Sequence, residues 1–83
     1  MTTEMIEKFI ENKNRKENEV KIHFKERHAV TGHFIKAADY DELKSKNFWR
    51  IVNHIHIDEW KKTKNMDLAR IFNGISFTRL TDE

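Results

Sequence analysis

The sequence predicts a mainly β fold in which an N-terminal α-helix precedes a strongly bent, five-stranded barrel. Three observations predict it. From Glu19 the chain alternates with period two, Val20, Ile22 and Phe24 against Lys21, His23 and Lys25, the pattern of a half-buried strand. Gly32 interrupts the run Ala29-Val30-Thr31-Gly32-His33-Phe34-Ile35, where a glycine marks a sharp bend or a close backbone approach. Gly74, the second of two glycines, follows Asn73 between two short apolar runs, and Asn-Gly is the strongest short-range hairpin signal.

The elements follow in order. Thr2 or Thr3 caps a first helix, Glu4 and Glu7 suit its positive end, and Met5, Ile6, Phe9 and Ile10 form its apolar stripe. The polar stretch from Glu11 to Asn18 is a connector. Strand one starts at Glu19, and a turn at Glu26-Arg27-His28 leads to strand two over 29–37. Asp39 to Asn47 reads as a polar loop and Phe48 to Ile57 as a long third strand, with Trp49, Ile51, Ile55 and Ile57 on its inner face. Asp58 to Asn65 reads as a charged turn, before strands four and five at Met66–Phe72 and Ile75–Leu80. Several short strands in so short a chain suggest a small barrel, whose closure limits exposed edges.

With 83 residues the expectation is one domain spanning 1–83, a helix and connector over 1–18 and the barrel over 19–80. A core of this size is marginal, so a partner surface is expected. Sixteen basic residues face 14 acidic ones, a net charge of +2 that lacks the one-signed footprint of a dedicated DNA binder. The absence of cysteine excludes a disulfide framework and a thiolate zinc site. With no apolar signal core and no long apolar run, the expected setting is soluble and cytoplasmic, with no membrane partner.

The chain resembles the Sm/LSm family, including its Hfq branch, in two segments. VKIHFKERHAVTGHFIKAADYDEL is similar to the first Sm motif, with Gly32 at the bend and Asp39 at its end, and LARIFNGISFTRL is similar to the second. The resemblance implies an SH3-like barrel, a homo-oligomeric ring in which strand four of one subunit pairs with strand five of the next, and single-stranded RNA near the pore. The chain departs from the family at its uridine-pocket positions. The asparagine usual soon after the aspartate is replaced by Tyr40-Asp41-Glu42-Leu43, and the usual arginine-glycine by Phe72-Asn73, with Gly74 one place later. The expectation is therefore RNA binding with weak sequence preference; the alternative is a protein-interaction or structural module.

Tyr40 and Phe72 are candidates for stacking a base, with packing at the barrel mouth or in the core as the alternative. Asn73 joins them through the family's pocket position. Trp60 with Lys61, Lys62 and Lys64 combines an aromatic platform with local positive charge, or is a solvated turn. His54, His56 and Asp58 alternate as though along one strand face, a spacing that suits a metal ion, but the reading preferred is a solvated face with no metal or other cofactor. His23, His28 and His33 lie around the first hairpin, across which His23 and His33 could approach one another as part of a pH-responsive surface. Asp39, Asp41 and Glu42 form a loop cluster read as solvated. Without a cysteine nucleophile, a phosphate-cradling glycine loop or a serine in an elbow, no catalytic residue is expected.

Overall fold

A computed structural model of the chain describes residues 1–12 and 19–82. Helix α1 covers Thr3–Ile10 and opens as its sequence dictates: the Thr2 hydroxyl accepts the Met5 N–H at 3.2 Å, Glu4 lies in the first turn and Lys8 in the last. Ile6 is fully buried, with Phe9 and Ile10 packed beside it. Met5 is 54% exposed, because Ile6, Phe9 and Ile10 lie at i, i+3 and i+4 and Met5 falls to the side of that stripe. Most of the connector, residues 13–18, lies outside the described residues.

Five strands follow: β1 (Val20–Phe24), β2 (Val30–Phe34), β3 (Phe48–Asn53), β4 (Ala69–Asn73) and β5 (Phe77–Asp82). They form one antiparallel sheet in the order β4-β3-β2-β1-β5. Its two edges, β4 and β5, do not pair, so the sheet is open where a closed barrel was expected. It is nonetheless strongly curled. A 3₁₀ turn of three residues, Gly74–Ser76, joins β4 to β5 and spans only about 6 Å. Phe24 of β1 meets Phe72 of β4 with ring centroids 5.8 Å apart, although two strands lie between them in the sheet.

The expected Asn-Gly hairpin is corrected by the same segment. Gly74 has no positive φ, so the turn is not the primed type that pairs adjacent strands. Instead the Asn73 side chain accepts the Ile75 N–H at 3.0 Å and starts the 3₁₀ turn, sending the chain to β1 rather than back along β4. Gly74 is required for space: a Cβ there would overlap Asn47 Oδ1 and Ile6 Cδ1. Gly32 acts likewise. It lies between Val20 and Asn53 on neighbouring strands, and a Cβ would overlap the Val52 carbonyl oxygen.

Two further segments differ from expectation. The presumed loop after Asp39 contains helix α2 (Tyr40–Ser45). The long third strand stops at Asn53, giving way to a 3₁₀ turn over His54–His56 and then helix α3 over Ile57–Thr63. Ile55 is consequently 70% exposed rather than inward. Helix α3 has Asp58 and Glu59 in its first turn and Lys61 and Lys62 in its last, the charge order that a helix dipole favours. A second 3₁₀ turn, Met66–Leu68, shortens β4 at its start. No described helix is long and apolar enough to cross a membrane.

The concave face of the sheet carries the core, Val20, Ile22, Trp49, Ile51, Phe77 and Leu80, closed by Ile6 of α1. Val52, next to Ile51 along the strand, points to the opposite face; it and Trp60 are buried outside the main cluster. Asn47 ties the layers together from a left-handed conformation (φ 62°). Its side-chain oxygen accepts the Trp49 indole N–H at 2.7 Å, its amide donates to the Met1 carbonyl at 3.0 Å, and its own carbonyl accepts the Gly74 N–H at 2.8 Å.

Gly32→Ala pushes a methyl group into the Val52 carbonyl and is expected to cost about 1–3 kcal/mol, at ~4–8 °C of melting temperature per kcal/mol in a domain this small. Asn47→Ala removes two side-chain hydrogen bonds and a residue that tolerates positive φ, and is expected to cost about 2 kcal/mol. Thermal unfolding followed by circular dichroism measures both; unchanged midpoints would mean that neither position is sterically or conformationally constrained.

Candidate nucleic-acid interface

Tyr40 begins α2 instead of standing in a loop, and its ring packs edge-on to Trp49 with centroids 6.1 Å apart. The ammonium groups of Lys36 and Lys44 lie 5.4 and 5.2 Å from its centroid. Its hydroxyl is buried with no hydrogen-bond partner among the described residues, and burial pushes its pKa up to about 12, with the carboxylate of Glu11 adding to the rise. The ring belongs to the margin of the core and does not offer a free face to a base.

Trp60 is corrected more sharply. At 8% exposure it is an anchor of α3, and Lys64, the left-handed cap of that helix, covers it with an ammonium 5.6 Å from the ring. Lys61, Lys62 and Lys64 are exposed, but they surround a buried indole rather than a stacking platform. The residues proposed from sequence therefore do not form one surface: Trp60 is buried outside the main core cluster, whereas Phe72 packs against that cluster. The side-chain oxygen of Asn73 is taken by its 3₁₀ turn.

The remaining constellations also separate. His54 and His56 lie in a 3₁₀ turn and Asp58 in α3, so they do not share a strand face. The register Val20↔Gly32, Lys21↔Thr31, Ile22↔Val30 puts His23 and His33 at opposite ends of the hairpin, with His23 facing Arg79 of β5. Each acid of the Asp39 cluster has a basic neighbour: Asp39 accepts from Arg50 at 2.7 Å, Asp41 lies 3.6 Å from Lys44, and Glu42 3.9 Å from Lys46.

Phe72 is the sequence-predicted residue that does line a cleft, of about 230 Å³, on the concave face between the β1–β2 turn, the end of β3 and the start of β4. Arg70, Phe72, Ile51 and Asn53 line it from facing positions, Ile51 being opposite Arg70 in the ladder. Arg27 joins them from the turn, its guanidinium 5.1 Å from the Phe24 ring centroid and 5.7 Å from that of Phe72. Val30, Leu68, Ile55 and His56 complete the lining, which includes no carboxylate. Among the described residues neither Arg27 nor Arg70 has an ion-pair partner. Arg27 also lines the neighbouring groove, where it is joined by Glu26, Lys25, Phe24 and Ile75.

Sequence reasoning missed Arg27 and Arg70. Arg70 was within reach, because two residues before an inward Phe72 on a strand it must share that face. Arg27 was not, since its approach to Phe72 depends on the curl of the whole sheet. The cleft can attract an anion to two unpaired guanidinium groups and hold a flat apolar group on its floor. No protein-family model, curated protein or solved structure matches the chain.

Tyr40 is the sole tyrosine, so the phenolate absorbance of the folded protein is expected to rise with a midpoint of about 12. Above the ordinary tyrosine pKa of about 10 the unfolded chain releases this proton first, so stability declines as pH rises from there towards 12. A midpoint near that of a free tyrosine would place the ring outside the packed margin.

Proposed function

We propose that the chain binds single-stranded RNA with weak sequence preference at the Arg27–Arg70–Phe72 cleft, and assembles into a homo-oligomeric ring as the Sm resemblance implies. The observation that carries the reading is the pair of guanidinium groups, with no ion-pair partner among the described residues, in an aromatic-lined cleft whose lining has no carboxylate. Phosphate attraction and stacking on aromatic or guanidinium planes are the two ingredients of sequence-tolerant single-strand binding. Assembly is supported by the open edges: β4 and β5 each leave one side of the backbone ladder unpaired within the chain, which is a template for another strand.

A second reading, a polypeptide-binding module, draws on the exposed apolar side chains Ile55, Ile71 and Ile75, at 70%, 52% and 62% exposure. Salt distinguishes the two, because phosphate contacts weaken steeply with ionic strength and apolar docking does not.

Native mass spectrometry with and without a short oligouridine tests assembly and ligand together, the expected result being a closed oligomer that carries RNA. In solution Arg70→Ala is expected to weaken binding and reduce the salt slope by about 0.7 for the lost phosphate contact. The double variant Lys61→Ala, Lys62→Ala, outside the cleft lining, is expected to change affinity less. A monomer that binds no oligonucleotide at low salt would overturn the proposal, and salt-resistant capture of a polypeptide would put the second reading in its place.

A further inference from the structure

The shape of the cleft says more than that it is basic. Its floor is apolar, formed by Val30, Leu68, Phe72 and the almost fully buried Ile51, and its rim is polar, formed by Arg27, Asn53, His56 and Arg70. Its volume, about 230 Å³, falls below the ~300–1,000 Å³ of pockets that enclose a whole drug-sized ligand. More open grooves adjoin it and share only Arg27 with its lining. A flat ring with one anionic group attached is the size and polarity that match.

We infer that the cleft takes a single nucleotide unit, an unstacked base lying over Ile51 and Phe72 with its phosphate between Arg27 and Arg70, so that a free nucleoside monophosphate is a sufficient ligand. The inference rests on the RNA-binding reading and specifies what that site recognises. Arg27 is oriented by its contacts with the Phe24 and Phe72 rings rather than by a carboxylate, which leaves its donors for phosphate and its plane for a base. Arg70 stands on an edge strand opposite Ile51 and lines the cleft from that side. Asn53 supplies a further polar group: its side-chain oxygen is fixed by the Ile55 N–H at 3.1 Å, while its amide donors have no partner among the described residues and suit a carbonyl on a base edge.

The test is displacement of a fluorescent oligouridine from the full chain by uridine 5′-monophosphate, uridine, inorganic phosphate and N-acetylleucine, the last standing for a peptide C-terminus. The expected result is complete displacement by the monophosphate, with uridine and phosphate each weaker by roughly tenfold or more, since each lacks one half of the recognised unit. Arg70→Ala, an exposed position whose loss leaves the core intact, is expected to weaken the monophosphate by roughly tenfold while circular dichroism is unchanged. If oligouridine binds but the monophosphate does not displace it, the single-nucleotide inference is overturned and RNA binding stands. If the monophosphate binds by calorimetry while oligouridine does not, the nucleotide site stands and the RNA reading fails. Displacement by N-acetylleucine but not by the monophosphate overturns both in favour of a polypeptide end.

Discussion

Asn47 is the point on which the rest of the fold depends. From its left-handed conformation it turns the chain out of α2 into β3, and with one side chain and one carbonyl it holds Trp49, Met1 and Gly74. The Met1 ammonium completes the junction by donating to the carbonyls of Gly74 and Phe77 at 2.9 and 2.8 Å. Burial, aided by the charge of Lys25, lowers the pKa of that amine. Because Gly74 belongs to the three-residue turn between the edge strands, fixing it fixes where both edges end. An unpaired polar group in such a place costs about 1–3 kcal/mol, a large share of what a domain of this size has in reserve.

The curl that this junction imposes creates the cleft. Phe24, Phe72 and Phe77 crowd together where the edges converge, Phe24 and Phe77 meeting edge to face with centroids 5.3 Å apart. Farther along β3 the ladder with β4 ends at Val52 and Ala69, and the chain leaves the sheet after Asn53. The concave surface there has Ile51 beneath it and Arg70 opposite, with Val30, Leu68 and Phe72 lining the space without filling it. Burying an arginine head is costly unless it is paired, so the position stays open to solvent. An incompletely filled sheet and a basic cleft are thus one feature.

Much of this was legible where the signal is local. The period-two run in β1, the Thr2 cap and the close approach at Gly32 were all read from residues a few positions apart. Asn73-Gly74 misled because the dipeptide specifies a turn but not which strand receives the next segment, and β5 pairs with β1. The stretch His54 to Asp58 misled in another way. Alternating isoleucine and histidine imitates a strand, whereas acids at 58 and 59 and lysines at 61 and 62 around Trp60 describe a short helix. Reading Trp60 as exposed followed from reading its segment as a turn. The cleft was half legible: Phe72 and, by alternation, Arg70 share a face, but the arrival of Arg27 is a consequence of long-range curvature that no short window contains.

A net charge of +2 gave little indication of a basic site because the lining of the cleft holds two arginines and no carboxylate, while several bases elsewhere are paired with acids. Lys36 pairs with Glu11, Lys44 with Glu7 and Asp41, Lys46 with Glu42, and Arg50 with Asp39, all beside α1 and α2. Exposed ion pairs of this kind contribute only about 0–1 kcal/mol each to stability. Their larger effect is on the field, since they neutralise bases beside α1 and α2, whereas Arg27 and Arg70 have no ion-pair partner among the described residues. Inside a concave, partly apolar surface an unscreened guanidinium acts over a longer distance than the same group on a flat face. The quantity that bears on ligand choice is therefore the unpaired charge at the cleft, which the sum over the chain conceals.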